Sequence, residues 1–146
     1  GLAMGVKKLK KVPKLNVVIE LSSLYHTMIS KAVSRFCEEN EIPYEFYTQV
    51  TPQIVKPKEV YLILHGQFDM ELIKLARAAK SQKLKPGRDF GIISYNESPM
   101  SEIVLDGLTT ISVDFVQMGR LAAEMILDGK LFKQKCDFRM IHRNSF

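Results

Sequence analysis

The chain has 146 residues, of which 46% are hydrophobic and 25% charged, with a formal net charge of +5. That length can bury the core of one domain, or of one lobe of a two-lobed protein, and the composition is ordinary for a globular chain. No apolar run approaches the ~18 residues of a membrane helix and no signal-peptide pattern opens the chain, so neither a membrane span nor secretion is expected. Cys37 and Cys136 lie far apart in core-like patterns. Such a pair fits neither a zinc site nor a disulfide framework and points to a reducing cytoplasm.

Residues 1–14 read as the tail of a helix followed by a linker that stops at Pro13. Lys7, Lys8, Lys10, Lys11 and Lys14 put five positive charges into these fourteen residues. They are either a nucleic-acid contact or a solvated face, and the absence of interleaved aromatics favours the solvated face. Leu15–Glu20 (LNVVIE) reads as a first strand. Ser22 and Ser23 offer a helix N-cap. Tyr25, Met28, Ile29, Ala32, Val33, Phe36 and Cys37 then recur at helical spacing. Tyr44–Val50 alternates apolar and polar residues as a second strand, and Pro52 and Pro57 bracket a loop.

Val60–Leu64 (VYLIL) is a continuous apolar run, the signature of a strand buried on both faces. It ends at His65, Gly66 and Gln67, and a helix starts near Asp69 with Leu72, Ile73, Leu75, Ala76 and Ala79 on its apolar face. Phe90–Ser94 (FGIIS) is another such strand, entered through a glycine turn at 83–88. A short helix is expected over Glu102–Leu105 and a strand or crossing segment over Leu108–Ser112. Asp114 is a helix N-cap with Gln117 at the capping-box position. Phe115, Met118, Leu121, Ala122, Met125 and Ile126 give the helix an apolar stripe, and Gly129 stops it. A last strand covers 137–142. The order β-α-β-β-α-β predicts an α/β fold with a mostly parallel sheet flanked by helices.

Catalytic patterns are weak. His26, His65 and His142 lie on different elements without metal-ligand spacing, and neither a phosphate loop nor a nucleophile elbow is present. Neither enzymatic chemistry nor a cofactor is expected. A receiver domain would need an acidic pair after the first strand and an aspartate after the third; Glu20 and His65 stand there instead. A small flavodoxin-like enzyme would need a glycine-bearing phosphate loop, and the stretch Glu20-Leu21-Ser22-Ser23 lacks the glycine. Polar residues do gather at strand ends, where open α/β sheets bind ligands. Tyr95, Asn96, Glu97 and Ser98 follow the central strand. Asn96, whose amide can both donate and accept, is either a ligand contact or the cap of a turn. Gln67, Asp69 and His65 follow the third strand, with Asp69 equally suited to capping its helix. Tyr25 and His26 face the first strand's mouth, where Tyr25 also fits the helix's core face. Arg139 and Arg143 read as solvent or interface charges.

Residues 85–119 also carry a resemblance. Pro86, Asp89, the strand 90–94, Tyr95-Asn96-Glu97, Leu108-Thr109-Thr110, Gly119 and Ala122-Ala123 resemble the effector-binding domain of lac-repressor-type transcription regulators. The wording DFGIISYN…TTISVDFVQMG is especially similar to a branch fused to a GntR-type DNA-binding head. The ending around Arg143-Asn144-Ser145 is similar to the family's terminus. Ser94 stands where the family has glycine, and Gly87 lengthens the Pro-to-Asp spacing by one residue. The resemblance is good over 83–146 and weaker over 1–82.

It implies one lobe of a type I periplasmic-binding-protein-like fold. Residues 1–14 would be a truncated helix or linker, 15–112 the C-terminal lobe, 113–129 a crossover helix and 130–146 a terminal strand returning to the lobe. It further implies a small-molecule effector, most readily a sugar, a homodimer, and DNA contacted through an N-terminal head outside this chain. Asn96 matches the family's effector-contacting Asp/Asn, while Ile29 stands where the family often has an effector-gripping arginine. A solute-binding lobe for sugar uptake is the alternative within the same fold. The helix 114–128 would belong to a first lobe that this chain largely lacks. Its stripe is expected to pack back on this lobe or on another copy.

Overall fold

The computed structural model describes residues 1–22, 24–64 and 70–146. Six strands form one sheet in the order β2-β1-β3-β4-β5-β6. They are β1 Leu15–Ile19, β2 Tyr44–Tyr47, β3 Val60–Leu64, β4 Gly91–Tyr95, β5 Thr109–Val113 and β6 Phe138–Ile141. The first five run parallel, and β6 closes the edge antiparallel to β5. The helices are α1 Val6–Leu9, α2 His26–Glu39, α3 Met70–Ser81 and α4 Phe115–Asp128. The expected α/β class and mostly parallel sheet are therefore found.

The continuous apolar strands serve two cores because side chains alternate across a sheet. Leu15, Val17, Leu62, Ile93 and Ile111 face one side, where Val33 and Cys37 of α2 and Leu9 of α1 cover them. Val18, Tyr61, Ile63 and Ile92 face the other, under Leu72, Leu75, Ala78 and Ala79 of α3. Burial pushes the Cys37 thiol up to about 11, which keeps it a neutral core residue. Cys136, by contrast, is only half-buried, in the irregular segment between α4 and β6.

Several local expectations shift. The 3-10 turn Leu2–Gly5 and α1 lie under β6, where the Met140 N–H approaches the Met4 sulfur at 3.2 Å. Lys7, Lys8, Lys10 and Lys11 stay exposed. Helix α2 is not capped by Ser22: it begins at His26 behind Tyr25, without a side-chain cap, and the Ser22 hydroxyl donates to the Glu20 carboxylate instead. Ser23 lies outside the described residues. The segment 99–106 forms two 3-10 turns, Pro99–Glu102 and Val104–Asp106.

Helix α4 starts and stops as its sequence requires. The Asp114 carboxylate accepts the Gln117 N–H at 2.9 Å, and Gly129 ends the helix in the left-handed region at φ 62°. The reciprocal half of the capping box is absent, because the Gln117 side chain accepts the Asp137 N–H at 2.7 Å and so ties the helix entrance to the start of β6. The expected packing of its stripe on this lobe is not found. No residue of α4 is buried, and Val116, Ile126 and Leu127 are each at least 80% exposed. The physical reason is topological: β5 and β6 occupy the sheet edge, and both cores are already covered by α1, α2 and α3. No described helix is long and apolar enough to cross a membrane.

Candidate functional site

The carboxyl ends of β1, β3 and β4 share one rim because these strands are parallel and adjacent. Asn96 follows β4 on this rim. Its N–H donates to the Ile111 carbonyl at 2.9 Å, and its φ of +66° places it in the left-handed region. Asparagine tolerates that region better than most residues. Its half-buried side-chain amide makes no hydrogen bond among the described residues, so the Asx-turn reading lacks the bond that defines it.

Two clefts flank this strand end. Tyr95 lines an apolar one of about 290 Å³ with Ile29, Phe36, Leu64 and Phe138. Its ring meets that of Phe138 at 6.2 Å between centroids. Glu97 lines one of about 380 Å³ that carries charged side chains, with Ser112, Asp114, Phe115, Arg139 and Arg143. Asn96 joins the two in sequence and lines neither. Tyr25 is 62% exposed at the entrance to α2, so its expected place in the core is not where it sits. The helix begins one residue later, which leaves Tyr25 before the first turn rather than on the helix's apolar face. Leu21, Leu24 and Met28 are exposed beside it. His65, Gln67 and Asp69 lie outside the described residues.

Glu97 and Arg143 are the polar groups that sequence reasoning missed. The Arg143 guanidinium donates two bonds to the Glu97 carboxylate, at 2.9 and 3.0 Å, and a third to the Leu108 carbonyl at 2.9 Å. The Thr110 hydroxyl also donates to Glu97. Burial alone would raise the Glu97 carboxyl, but these hydrogen bonds outweigh it and hold it below its ordinary range. Arg143, expected as a solvent or interface charge, is instead a clamp only 17% exposed. Arg139 is the surface charge expected, 58% exposed and 3.3 Å from Asp114. Ser145 completes the terminal motif: its hydroxyl accepts the Thr109 N–H at 2.7 Å and donates to the Ile92 carbonyl at 2.8 Å. The spacing Arg-x-Ser in a chain terminus was the available signal. The described residues contain no cluster of His, Cys, Asp or Glu that could hold a metal ion.

Comparison with known proteins bears on this arrangement. The family model described as a periplasmic binding protein-like domain matches residues 22–134, most of the chain. The chain belongs to that family. No curated protein matches it. Among solved structures, a LacI family transcriptional regulator from Bifidobacterium animalis subsp. lactis aligns with a TM-score of 0.76 at 20% identity, over 98% of this chain and 59% of that one. The lac repressor dimer bound to operator and the anti-inducer ONPF aligns at 0.75 and 20% identity, over 99% and 49%. A periplasmic binding protein/LacI transcriptional regulator from Alkaliphilus metalliredigens, complexed with D-xylulofuranose, aligns at 0.71 and 15% identity, over 97% and 60%. The likeness is one of fold: this periplasmic binding protein-like chain spans three fifths or less of each of these three structures.

Proposed function

We propose that the chain is the C-terminal lobe of the effector-binding domain of a cytoplasmic transcription regulator. Residues 15–112 and 130–146 form the lobe, and 113–129 cross into a first lobe that completes the effector site. One observation carries this reading: the chain leaves β5 at Asp114, runs through an amphipathic helix with no buried residue, and returns as β6. An apolar helix stripe held in water is explained by a partner surface, and a first lobe supplies one. The reading is not an enzyme's. Ligand closes the two lobes and shifts the population of DNA-binding states.

The effector is a sugar or sugar derivative. Tyr95, Ile29 and Phe138 offer an apolar wall for a sugar ring face, while the Asn96 amide pairs with its hydroxyls. Tyr25, at the entrance to α2, is a further contact, as are His65, Gln67 and Asp69, which follow β3 in the sequence. A GntR-type head reads DNA, and a homodimer matches the two-fold symmetry of the DNA site.

The first test is the length of the native protein, read by immunoblot of source-cell extract with an antibody to this chain. A band more than twice this size is expected; a band at this size overturns the reading. The second is a thermal-shift screen of the full-length protein against a sugar panel. The variant Asn96→Gly keeps the left-handed backbone and deletes the amide, so it is expected to melt like the parent and lose the ligand-induced shift. Asn96→Ala would confuse the two effects, because alanine at φ +66° costs about 1 kcal/mol by itself. A full ligand shift in Asn96→Gly removes Asn96 from the site.

A further inference from the structure

Two clefts open on either side of the turn between α3 and β4. The first, of about 500 Å³, has an apolar floor that includes Ile73, Leu84 and Leu105 and is edged by Arg77, Lys80, Lys83 and Lys85. The second, of about 250 Å³, lies at the amino ends of β3 and β4 over Val60, Phe90 and Phe146, edged by Lys8, Lys11, Lys58 and Arg88. Asp89 is the only acidic side chain lining either cleft. Its carboxylate is already bonded to the Arg88 guanidinium at 2.7 Å and to the Lys85 N–H at 2.8 Å. The other seven cations have no carboxylate partner among the described residues, and all eight are exposed. An acidic group stands apart from these cations, where Glu38 and Glu39 end α2, Glu41 follows that helix and Glu45 lies on the edge strand β2, two strands from β3.

The fold thus assembles the N-terminal lysines with cations from two other parts of the sequence, Lys58 and the stretch 77–88. Lys8 and Lys11 come from α1 and its exit, Lys58 from the turn before β3, Arg88 from the turn before β4, and the remaining four from α3 and its exit. Lys8 lies over the Phe146 ring at 5.0 Å, which places its ammonium at the second cleft without neutralising it. The charges do not converge on a point, as they would around one small anion. They spread along two adjoining clefts on long, solvated side chains. Duplex nucleic acid presents its phosphates in such an extended array, and unpaired exposed lysines bind it by releasing condensed counterions.

We propose that this belt is a sequence-independent docking surface for the phosphate backbone of duplex nucleic acid. The belt lies at the amino ends of the strands, opposite the rim that carries Asn96, and the inference stands apart from the effector reading.

The test is fluorescence anisotropy of a labelled duplex of arbitrary sequence, titrated with the 146-residue chain between 20 and 200 mM salt. Binding is expected to weaken steeply with salt, with a log–log slope of about −4 or steeper. Each phosphate that a cation neutralises adds roughly 0.9 to the steepness of that slope. The quadruple variant Lys8→Gln, Lys11→Gln, Lys58→Gln, Arg88→Gln should therefore flatten it by about 2 or more and weaken binding at least tenfold at the lowest salt. A control variant carrying Lys130→Gln, Lys133→Gln and Lys135→Gln should bind as the parent does. Circular dichroism melts of both variants establish that they are folded. Absence of salt-dependent binding at 20 mM overturns the proposal. So does retained binding by the folded belt variant, or loss in the control alone. Competition by polyglutamate as strong as by duplex at equal charge also overturns it, and assigns the belt to an acidic protein partner.

Discussion

Replacement of Arg143 by alanine is expected to cost about 3 kcal/mol and to lower the melting temperature by roughly 8 °C. The cost does not come from the ion pair as an isolated attraction, since exposed pairs contribute about 1 kcal/mol or less. It comes from what the substitution leaves behind. Glu97 keeps a side chain only 23% exposed and loses both guanidinium bonds, and the Leu108 carbonyl loses a third. Glu97→Gln is expected to be milder, because its amide still offers an oxygen to Arg143 and Thr110. In a double-mutant cycle, removing both partners should therefore cost less than the sum of the two single changes.

The same clamp sets an acid limit. The folded Glu97 carboxyl is held below its ordinary value, so its contribution is fully present above the ordinary carboxylate range and is lost as the pH falls through the lowered folded value. Urea midpoints measured downward from neutral pH should fall less steeply in Glu97→Gln than in the parent. An equal fall in both would remove Glu97 from the acid response. The clamp joins the loop after β4, which carries Asn96, to β5 and the segment after β6, the strands through which the chain leaves and re-enters the lobe.

Most of the sheet was legible because its strands are short apolar runs bounded by turn signals. Val60–Leu64 is found with the expected bounds, and β1 and β4 differ from expectation by a residue at one or both ends. Their two-sided burial follows from a parallel sheet with helices on both faces. Helix ends were less legible. Ser22 satisfies the N-cap pattern but has an acceptor two residues away in Glu20, and that local bond replaces the cap. The clamp was illegible for a different reason. Arg143 and Glu97 are 46 residues apart, and their pairing exists only because β6 folds antiparallel onto β5. Single-chain periodicity carries no information about such a long-range partner. Asn96 was legible as a residue type at a strand end, but its left-handed backbone was not, and that backbone changes which substitution isolates its amide.

Gly87→Ala is expected to be the most damaging methyl addition among the described glycines. A Cβ built at Gly87 would stand 1.7 Å from the Asn144 carbonyl oxygen, a backbone atom that no rotamer can move aside. The glycine also has φ +76°, which an L side chain adopts only with strain. The opposing segment cannot retreat cheaply. The Ser145 carbonyl accepts the Ile92 N–H at 2.8 Å, the Ser145 N–H donates to Gly107 at 2.9 Å, and the Asn144 amide donates to Asp106 at 2.7 Å. Pushing it away breaks these bonds, so a loss of about 3 kcal/mol or more is expected. Gly129→Ala is the matched control. Its φ of +62° carries the same backbone penalty, but nothing lies within 4 Å of the new methyl, so about 1 kcal/mol is expected. Denaturation midpoints of the two variants separate steric overlap from backbone conformation, and equal losses would sink the steric argument. Gly87 is also the residue that lengthens the Pro86-to-Asp89 spacing. The turn tolerates that residue because it lacks a side chain where the terminal segment crosses it, and any other amino acid there would force the two segments apart.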